Sequence, residues 1–281
     1  MGAHISIAGG VDKAIERGEK LGCDAIQIFT QSSRTWKCFP IAVQTQAAFR
    51  TALKTAKRVK RVVAHNSYLL NLSTTDSVHR KQSVRFFIDI MNQCESLGIE
   101  SLITHPGSHK GEGLAAGIRA TVQSLNEVMK ACAGFETRIL MENTAGQGDC
   151  IGHRFEELRS IVSATSDPDR IGFCFDTQHA FAAGYDLRTQ ADYEATFDQF
   201  ERLLGIKKIG AFHLNDAVKE FGSRVDRHAN IGEGFLGKEP FQFLLNDKRF
   251  RGVPMCLETD PGEDDRKHKK DLKTLRSLVS R

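Results

Sequence analysis

Arg170-Ile171-Gly172-Phe173-Cys174-Phe175-Asp176-Thr177-Gln178-His179 is the stretch on which the reading of the fold turns. Its five apolar or small residues, Ile171 to Phe175, are too few for a buried helix and suit a strand covered on both faces. The run stops at a carboxylate, and an imidazole follows three residues later. A strand that ends in a metal-type side chain is a candidate ligand donor, although a single Asp-x-x-His is more often a cap beside a satisfied histidine. Repetition of the pattern changes that weighting.

Four places share one grammar, a helical period closed by glycine, a short polar link and an apolar strand. They are Gly22 before Ala25 to Phe29, Gly98 before Ser101 to His105, Gly134 before Arg138 to Glu142, and Gly205 before Lys208 to His213. Glycine just past a helix adopts the left-handed conformation that closes the last turn, so each marks a helix stop and a strand start. Between them Val84, Phe87, Ile88, Met91, Cys94 and Leu97 keep one face of a 3.6-residue period, as do Ile118, Val122, Leu125, Met129 and Cys132. These stripes are expected to be core. Adding strands near Gly2 to Ser6, Arg61 to His65, Ile171 to Asp176 and Val253 to Glu258 gives eight, separated mostly by helices. That alternation implies a parallel sheet, and eight units in a chain of this length close best as one (β/α)8 TIM barrel. A single domain over residues 1–281 is expected, with the active site at the C-terminal ends of the strands; a doubly wound open sheet is the alternative.

Composition is ordinary for a soluble globular chain, 40% apolar and 26% charged, without a linker or low-complexity segment to mark a boundary. Seven scattered cysteines with no C-x-x-C argue against a disulfide framework or zinc ribbon and suit a reducing cytoplasm. The N-terminus has no signal-peptide pattern, and no run of about 18 apolar residues would span a membrane. A net charge of +4 is too small to argue a polyanionic partner by itself.

Aligned by strand ends, the chemistry appears. His65, His105, Glu142, Asp176, His213 and Glu258 close strands three to eight, and in a barrel those ends meet on one face. Each has a bland reading alone, as a turn histidine, a cap or an ion-pair partner; six at equivalent positions do not. His179 follows Asp176 by three, and Asp226-Arg227-His228 presents a carboxylate and an imidazole on one side of an extended loop. Five imidazoles and four carboxylates, with no thiolate, suit divalent metals such as zinc or manganese. Nine donors imply two or three ions with a bridging carboxylate, an arrangement suited to phosphoester hydrolysis. No strand ends in the lysine that Schiff-base chemistry would need.

Other signals carry less. Gly232-Glu233-Gly234-Phe235-Leu236-Gly237 matches G-x-G-x-x-G without the strand and register of a nucleotide site, and is read as a glycine loop. Asn71-Leu72-Ser73 is a sequon by letters only, and Arg266 to Lys270 opens an amphipathic tail with a solvated basic face. In the loops after strands two and three, Arg34 with Trp36 and Tyr68 with Leu70 offer cations for phosphates and flat groups for an unstacked base, or else simply pack the loops down.

Together these residues resemble the endonuclease IV family of metal-dependent apurinic/apyrimidinic endonucleases. The resemblance runs from Gly2-Ala3-His4-Ile5-Ser6 to about Glu258 and includes His105-Pro106-Gly107-Ser108-His109, Glu142 to Gly148, Asp176 to Asp186, His213-Leu214-Asn215-Asp216 and Gly222 to His228. Asn66 and Gln178 depart from the family's usual Asp and Cys, and neither is a ligand. The resemblance implies a (β/α)8 barrel with three zinc ions, manganese being an alternative at one. His65, His105 and Glu142 would hold the first, Glu142, Asp176, His213 and Glu258 the second, and His179, Asp226 and His228 the third. It also implies that Arg34, Tyr68 and Leu69 enter the DNA minor groove at the lesion. The expected reaction is hydrolysis of double-stranded DNA 5′ to an abasic site, leaving a 3′-hydroxyl and a 5′-deoxyribose phosphate, with removal of blocked 3′ ends. Glu142 is the expected catalytic residue, and nothing demands more than a monomer. A sugar isomerase of the same barrel class and a lesion-binding protein without turnover are the competing readings.

Overall fold

The protein is described by a computed structural model covering residues 1–280. In chain order its strands are β1 (Gly2–His4), β2 (Ala25–Ile28), β3 (Arg61–His65), β4 (Ser101–Thr104), β5 (Arg138–Glu142), β6 (Ile171–Asp176), β7 (Ile209–His213), β8 (Asp216–Ala217), β9 (His228–Ala229) and β10 (Met255–Leu257). The helices are α1 (Asp12–Leu21), α2 (Val43–Thr55), α3 (Ser77–Leu97), α4 (Leu114–Ala131), α5 (Phe155–Ala164), α6 (Thr177–Ala183), α7 (Gln190–Leu204), α8 (Glu239–Asn246) and α9 (Arg266–Ser277). Strands β1 to β7 pair in sequence and in parallel, and β10 closes the ring between β7 and β1. The closed barrel replaces the open-sheet alternative. The short pair β8 and β9 lies outside it as an antiparallel ribbon.

Strand β6 shows why the pattern folds this way. Ile171, Phe173 and Phe175 belong to the outer core beneath the helices, whereas Cys174 belongs to the inner one, as the two-residue alternation of a strand requires. The interior is filled by Ala25, Val63, Ile103, Leu140, Cys174, Ala211 and Cys256, one from each of seven strands. Outside, Phe155, Phe173, Phe175, Phe197, Phe200, Phe212 and Phe250 form a continuous aromatic layer, with most ring pairs inclined as aromatic quadrupoles prefer. Gly22 and Gly98 close α1 and α3 at φ 82° and 72°, where their backbone N–H groups bond back into the last turn.

Several boundaries differ from expectation. β4 stops at Thr104, one residue before His105, because Pro106 has no N–H to extend a ladder. β10 stops before Glu258, whose N–H is taken by the Asn215 side chain at 2.9 Å. β7 starts at Ile209 after a 3-10 turn, and β1 and β2 end at His4 and Ile28. Ile88, Ile118 and Val122 are half-buried at the edge of the core.

The glycine loop has a structural task. N–H groups of Gly232, Gly234 and Leu236 donate to the Asp216 carboxylate at 2.9, 3.0 and 2.9 Å, filling the kind of backbone nest that elsewhere holds a phosphate. A Cβ at Gly234 would lie 2.3 Å from the Ala217 carbonyl oxygen, so no larger residue fits. Asn71 turns inward and accepts from the N–H groups of Ser73 and Ser108. On α9 Leu272 and Leu275 are buried and Lys269 and Lys270 exposed, while His268 and Asp271 also turn inward. Among the described residues no helix is long and apolar enough to cross a membrane, and no disulfide forms.

Candidate metal centre

Glu142, the last residue of β5, lies fully buried at the C-terminal mouth of the barrel. Its Oε2 stands 3.1 Å from His65 Nε2 and 3.0 Å from His105 Nε2. Its Oε1 stands 2.8 Å from His213 Nδ1 and 3.2 Å from His179 Nδ1. One carboxylate therefore faces four imidazoles. His213 Nδ1 also faces Glu258 Oε2 at 3.1 Å and Asp176 Oδ2 at 3.7 Å. Strand ends bring these groups together as the sequence pattern requires, since residues at the tops of adjacent parallel strands converge on one rim.

Ligand atoms within 4.8 Å of one another form the sets His65, His105, Glu142 and Glu142, Asp176, His213, Glu258, which coincide with the first two sets expected from the resemblance. In the third set Asp176 accompanies His179 and His228, whereas Asp226 was expected, and a fourth set brings the Cys174 sulfur to Glu142 and His213, where no thiolate was expected. Asp226 is nevertheless adjacent, its Oδ1 3.4 Å from His179 Nε2 and 3.3 Å from His228 Nε2. Asp226 sits on the loop between β8 and β9 with 42% of its side chain exposed, so it approaches the two rings from the solvent side.

The electrostatics are those of a cluster short of positive charge. Burial opposes ionisation of Glu142, but His213, His105 and His179 hold its carboxyl well below the usual range. Glu258 behaves alike: despite burial, chiefly His213 brings it down to about 2. Burial would strip the charge from His179 and His213, yet nearby Asp176 and Asp226 raise the first, and the Glu142 and Glu258 carboxylates raise the second. His228 is raised against burial by Asp226 and Asp176. Burial pushes the neighbouring Cys174 thiol up to about 12, which keeps it neutral and a poor ligand.

Three observations fit divalent cations here. His179 Nε2 and His228 Nε2 are buried with no hydrogen-bond partner, close to Asp226 but misaligned for a bond. Among the described residues no Lys or Arg lies in ion-pair range of Glu142, Asp176, Asp226 or Glu258, and buried carboxylates without a cation are costly. The donors are imidazoles and carboxylates, the chemistry that zinc and manganese accept.

Around these donors lies a set of amides to which the sequence pattern assigned no role. Asn143 and Asp176 lock together, Asp176 N–H to Asn143 Oδ1 at 2.8 Å and Asn143 Nδ2 to Asp176 O at 3.0 Å. Asn215 Nδ2 donates to Asp176 Oδ2 at 2.6 Å. Gln27, fully buried on β2, reaches both His213 and Glu258. The signal for Gln27 was a lone amide inside the apolar run Ala25 to Phe29, and both Asn residues directly follow or nearly follow a strand-end donor.

The rim differs in character. Arg34 is exposed on the loop after β2. Tyr68 is 66% exposed, its ring edge-on to Phe29 at 5.7 Å and 5.8 Å from the His65 ring; Leu69 beside it is half-buried. Trp36 packs edge-on against Phe86 and His79, which makes it a clamp for its own loop. A cavity of about 240 Å³ opens between His65, His105, Tyr68, Leu69, Ser108 and Lys110. A larger one, about 600 Å³, lies at the opposite end of the barrel beside Arg61, Arg138 and Arg251, away from every donor above.

The family of xylose isomerase-like TIM barrels matches residues 15–278. A protein of Citrifermentans bemidjiense named probable endonuclease 4 is 46% identical over 99% of this chain and 98% of its own length. The crystal structure of endonuclease IV from Thermus thermophilus superposes with a TM-score of 0.86 at 31% identity, covering 98% of this chain and 97% of that one. A D-tagatose 3-epimerase-like protein also superposes, TM-score 0.72 over 99% and 98% of the two chains, but at 20% identity it shares the fold alone.

Proposed function

Because this chain belongs to the endonuclease IV family of nucleases, we propose that it hydrolyses the DNA phosphodiester 5′ to an abasic site, leaving a 3′-hydroxyl and a 5′-deoxyribose phosphate, and that it clears blocked 3′ ends. The observation that carries the reading is the Glu142 carboxylate facing His65, His105, His179 and His213 at 2.8 to 3.2 Å, shared between two ligand sets. A bridging carboxylate between open ligand sets suits phosphoester hydrolysis and gives the isomerisation of a free sugar no evident advantage.

His65, His105 and Glu142 would hold one zinc ion, Glu142, Asp176, His213 and Glu258 a second, and His179, Asp226 and His228 a third, with manganese an alternative at one. Such ions supply Lewis acidity and neutralise charge on the oxygens of phosphodiester displacement. Glu142 holds the two ligand sets at a fixed separation, and Asn143 and Asn215 fix the Asp176 carboxylate toward them. Buried walls around these donors limit water to the open mouth. Arg34 offers a cation to the backbone, while Tyr68 and Leu69 line the cavity beside His65 and His105, where a nucleotide without a base is swung out at little stacking cost. The protein acts as a monomer in the cytoplasm in this reading.

The test is a duplex bearing a tetrahydrofuran abasic analogue, incubated with the protein with and without a chelator. Cleavage to an extendable 3′ end that chelation abolishes is the expected result. An intact duplex with a fully metallated protein would overturn the proposal, and aldose or ketose turnover in its place would move the protein among the epimerases.

A further inference from the structure

Gln27 occupies a position where the barrel asks for an apolar residue. It is 0% exposed on β2, between Ile26 and Ile28, and its amide makes three contacts. Nε2 donates to Glu258 Oε1 at 2.6 Å and reaches His4 Nδ1 at 3.1 Å, and Oε1 meets His213 Nε2 at 2.7 Å. The partners come from β1, β7 and the end of β10, so one side chain links strands across the mouth.

We propose that Gln27 is a positioning residue that fixes which nitrogen of His213 and which oxygen of Glu258 face the metal set, an inference that rests on the metal reading above. Glu258 is a carboxylate and can only accept, so the Gln27 amide nitrogen must point at it; the flipped amide would set two acceptors 2.6 Å apart. The second amide hydrogen goes to His4, which burial keeps neutral by pushing its pKa down to about 4. The Gln27 carbonyl is left for His213, and it can only accept. His213 therefore carries a hydrogen on Nε2, which leaves Nδ1, facing Glu142 Oε1 at 2.8 Å and Glu258 Oε2 at 3.1 Å, as the nitrogen that would give its lone pair to a metal ion held with those carboxylates. Glu258 Oε1 is engaged, which leaves Oε2 for the same set. A group that orients a metal-binding histidine through its second nitrogen contributes to affinity as well as to geometry.

The experiment compares zinc content and retention in wild type, Gln27→Met, which keeps the bulk and loses the amide, and Gln27→Glu, which keeps an acceptor for His213 Nε2–H and sets a second carboxylate against Glu258. Retention is read against a competing chromophoric chelator, and the protonated nitrogen of His213 by long-range ¹H–¹⁵N correlation in the zinc-loaded protein. Gln27→Met is expected to lose zinc affinity by about 10- to 100-fold and to lose the single Nδ1-bound, Nε2-protonated signature. Gln27→Glu should keep that signature while zinc affinity falls. If Gln27→Met does not fold by circular dichroism, Gln27→Glu decides, and unchanged retention in it overturns the proposal. Wild-type retention and an unchanged His213 signature in Gln27→Met overturn this inference alone. A wild type that binds no stoichiometric metal overturns the metal reading and this inference with it.

Discussion

Replacing Glu142 with Gln is the sharpest perturbation of the centre. The change conserves shape and removes one negative charge, but the new amide nitrogen must point either at His65 and His105 or at His179 and His213, and in both cases it meets ring nitrogens at the 2.8 to 3.2 Å now spanned by attraction. Whichever way the amide turns, one half of the shared carboxylate becomes an N–H donor that cannot ligate a metal, and the negative charge faced by four imidazoles is gone. Breaking a buried charge pair by removing one partner costs about 3–5 kcal/mol. At about 1.4 kcal/mol per decade that corresponds to roughly two to three and a half orders of magnitude in metal affinity, and to a comparable loss of turnover. The assay is cleavage of the tetrahydrofuran duplex at saturating zinc, read beside metal content per chain by inductively coupled plasma mass spectrometry. A variant with wild-type metal content that cleaves within tenfold of wild type would refute the bridging role.

Stability of the metal-free protein should depend on pH from both sides. The carboxyls of Glu142, Glu258 and Asp226 are depressed, so their contribution is present above the unfolded carboxylate range and is lost as pH falls through the folded values; His179, His213 and His228 are raised, so theirs is present below the unfolded imidazole range and is lost as pH rises through the folded values. Denaturant melts of chelated protein should therefore be most stable between about pH 5 and 6.5, and a flat profile from pH 6 to 9 would contradict the coupling. Arg34→Ala should weaken binding to an abasic duplex and lower the slope of log affinity against log salt by about one, with metal content unchanged; fluorescence anisotropy across a salt series checks it. Tyr68→Ala should cost about 1–3 kcal/mol of binding if its exposed ring replaces a stacking partner, and equal affinity would remove it from the interface. Gly234→Ala should destabilise by about 1–3 kcal/mol because its Cβ would fall 2.3 Å from the Ala217 oxygen, and urea melts that superpose on wild type would show the loop is not clamped.

Much of the barrel was legible because its strands are short apolar runs opened by helix-closing glycines and shut by a polar residue, a signal local to each segment. The donors were legible for the same reason: Glu142, Asp176 and His213 are the last residues of their strands. What escaped depends on contacts between segments far apart in sequence. Gln27 meets His213 and Glu258 only once the sheet has closed, and the presence of Asp176 in place of Asp226 in the tight third set depends on how far one loop reaches inward. His268 reads as part of the solvated basic run Arg266 to Lys270, yet it is buried with its Nε2 2.9 Å from the Thr259 carbonyl oxygen. Trp36 illustrates the reverse case, an aromatic in a suggestive loop whose partners Phe86 and His79 on α3 make it a clamp.

The Asp216 nest has a bearing on how DNA is received. Peptide groups that could have clasped a passing phosphate are already occupied by a guest that is part of the same polymer and cannot leave. That guest lies three residues past His213, and the turn gripping it begins four residues past His228. Two donor-bearing segments are thus moored to a single post, and a backbone straying into the mouth finds no rival berth among the glycines.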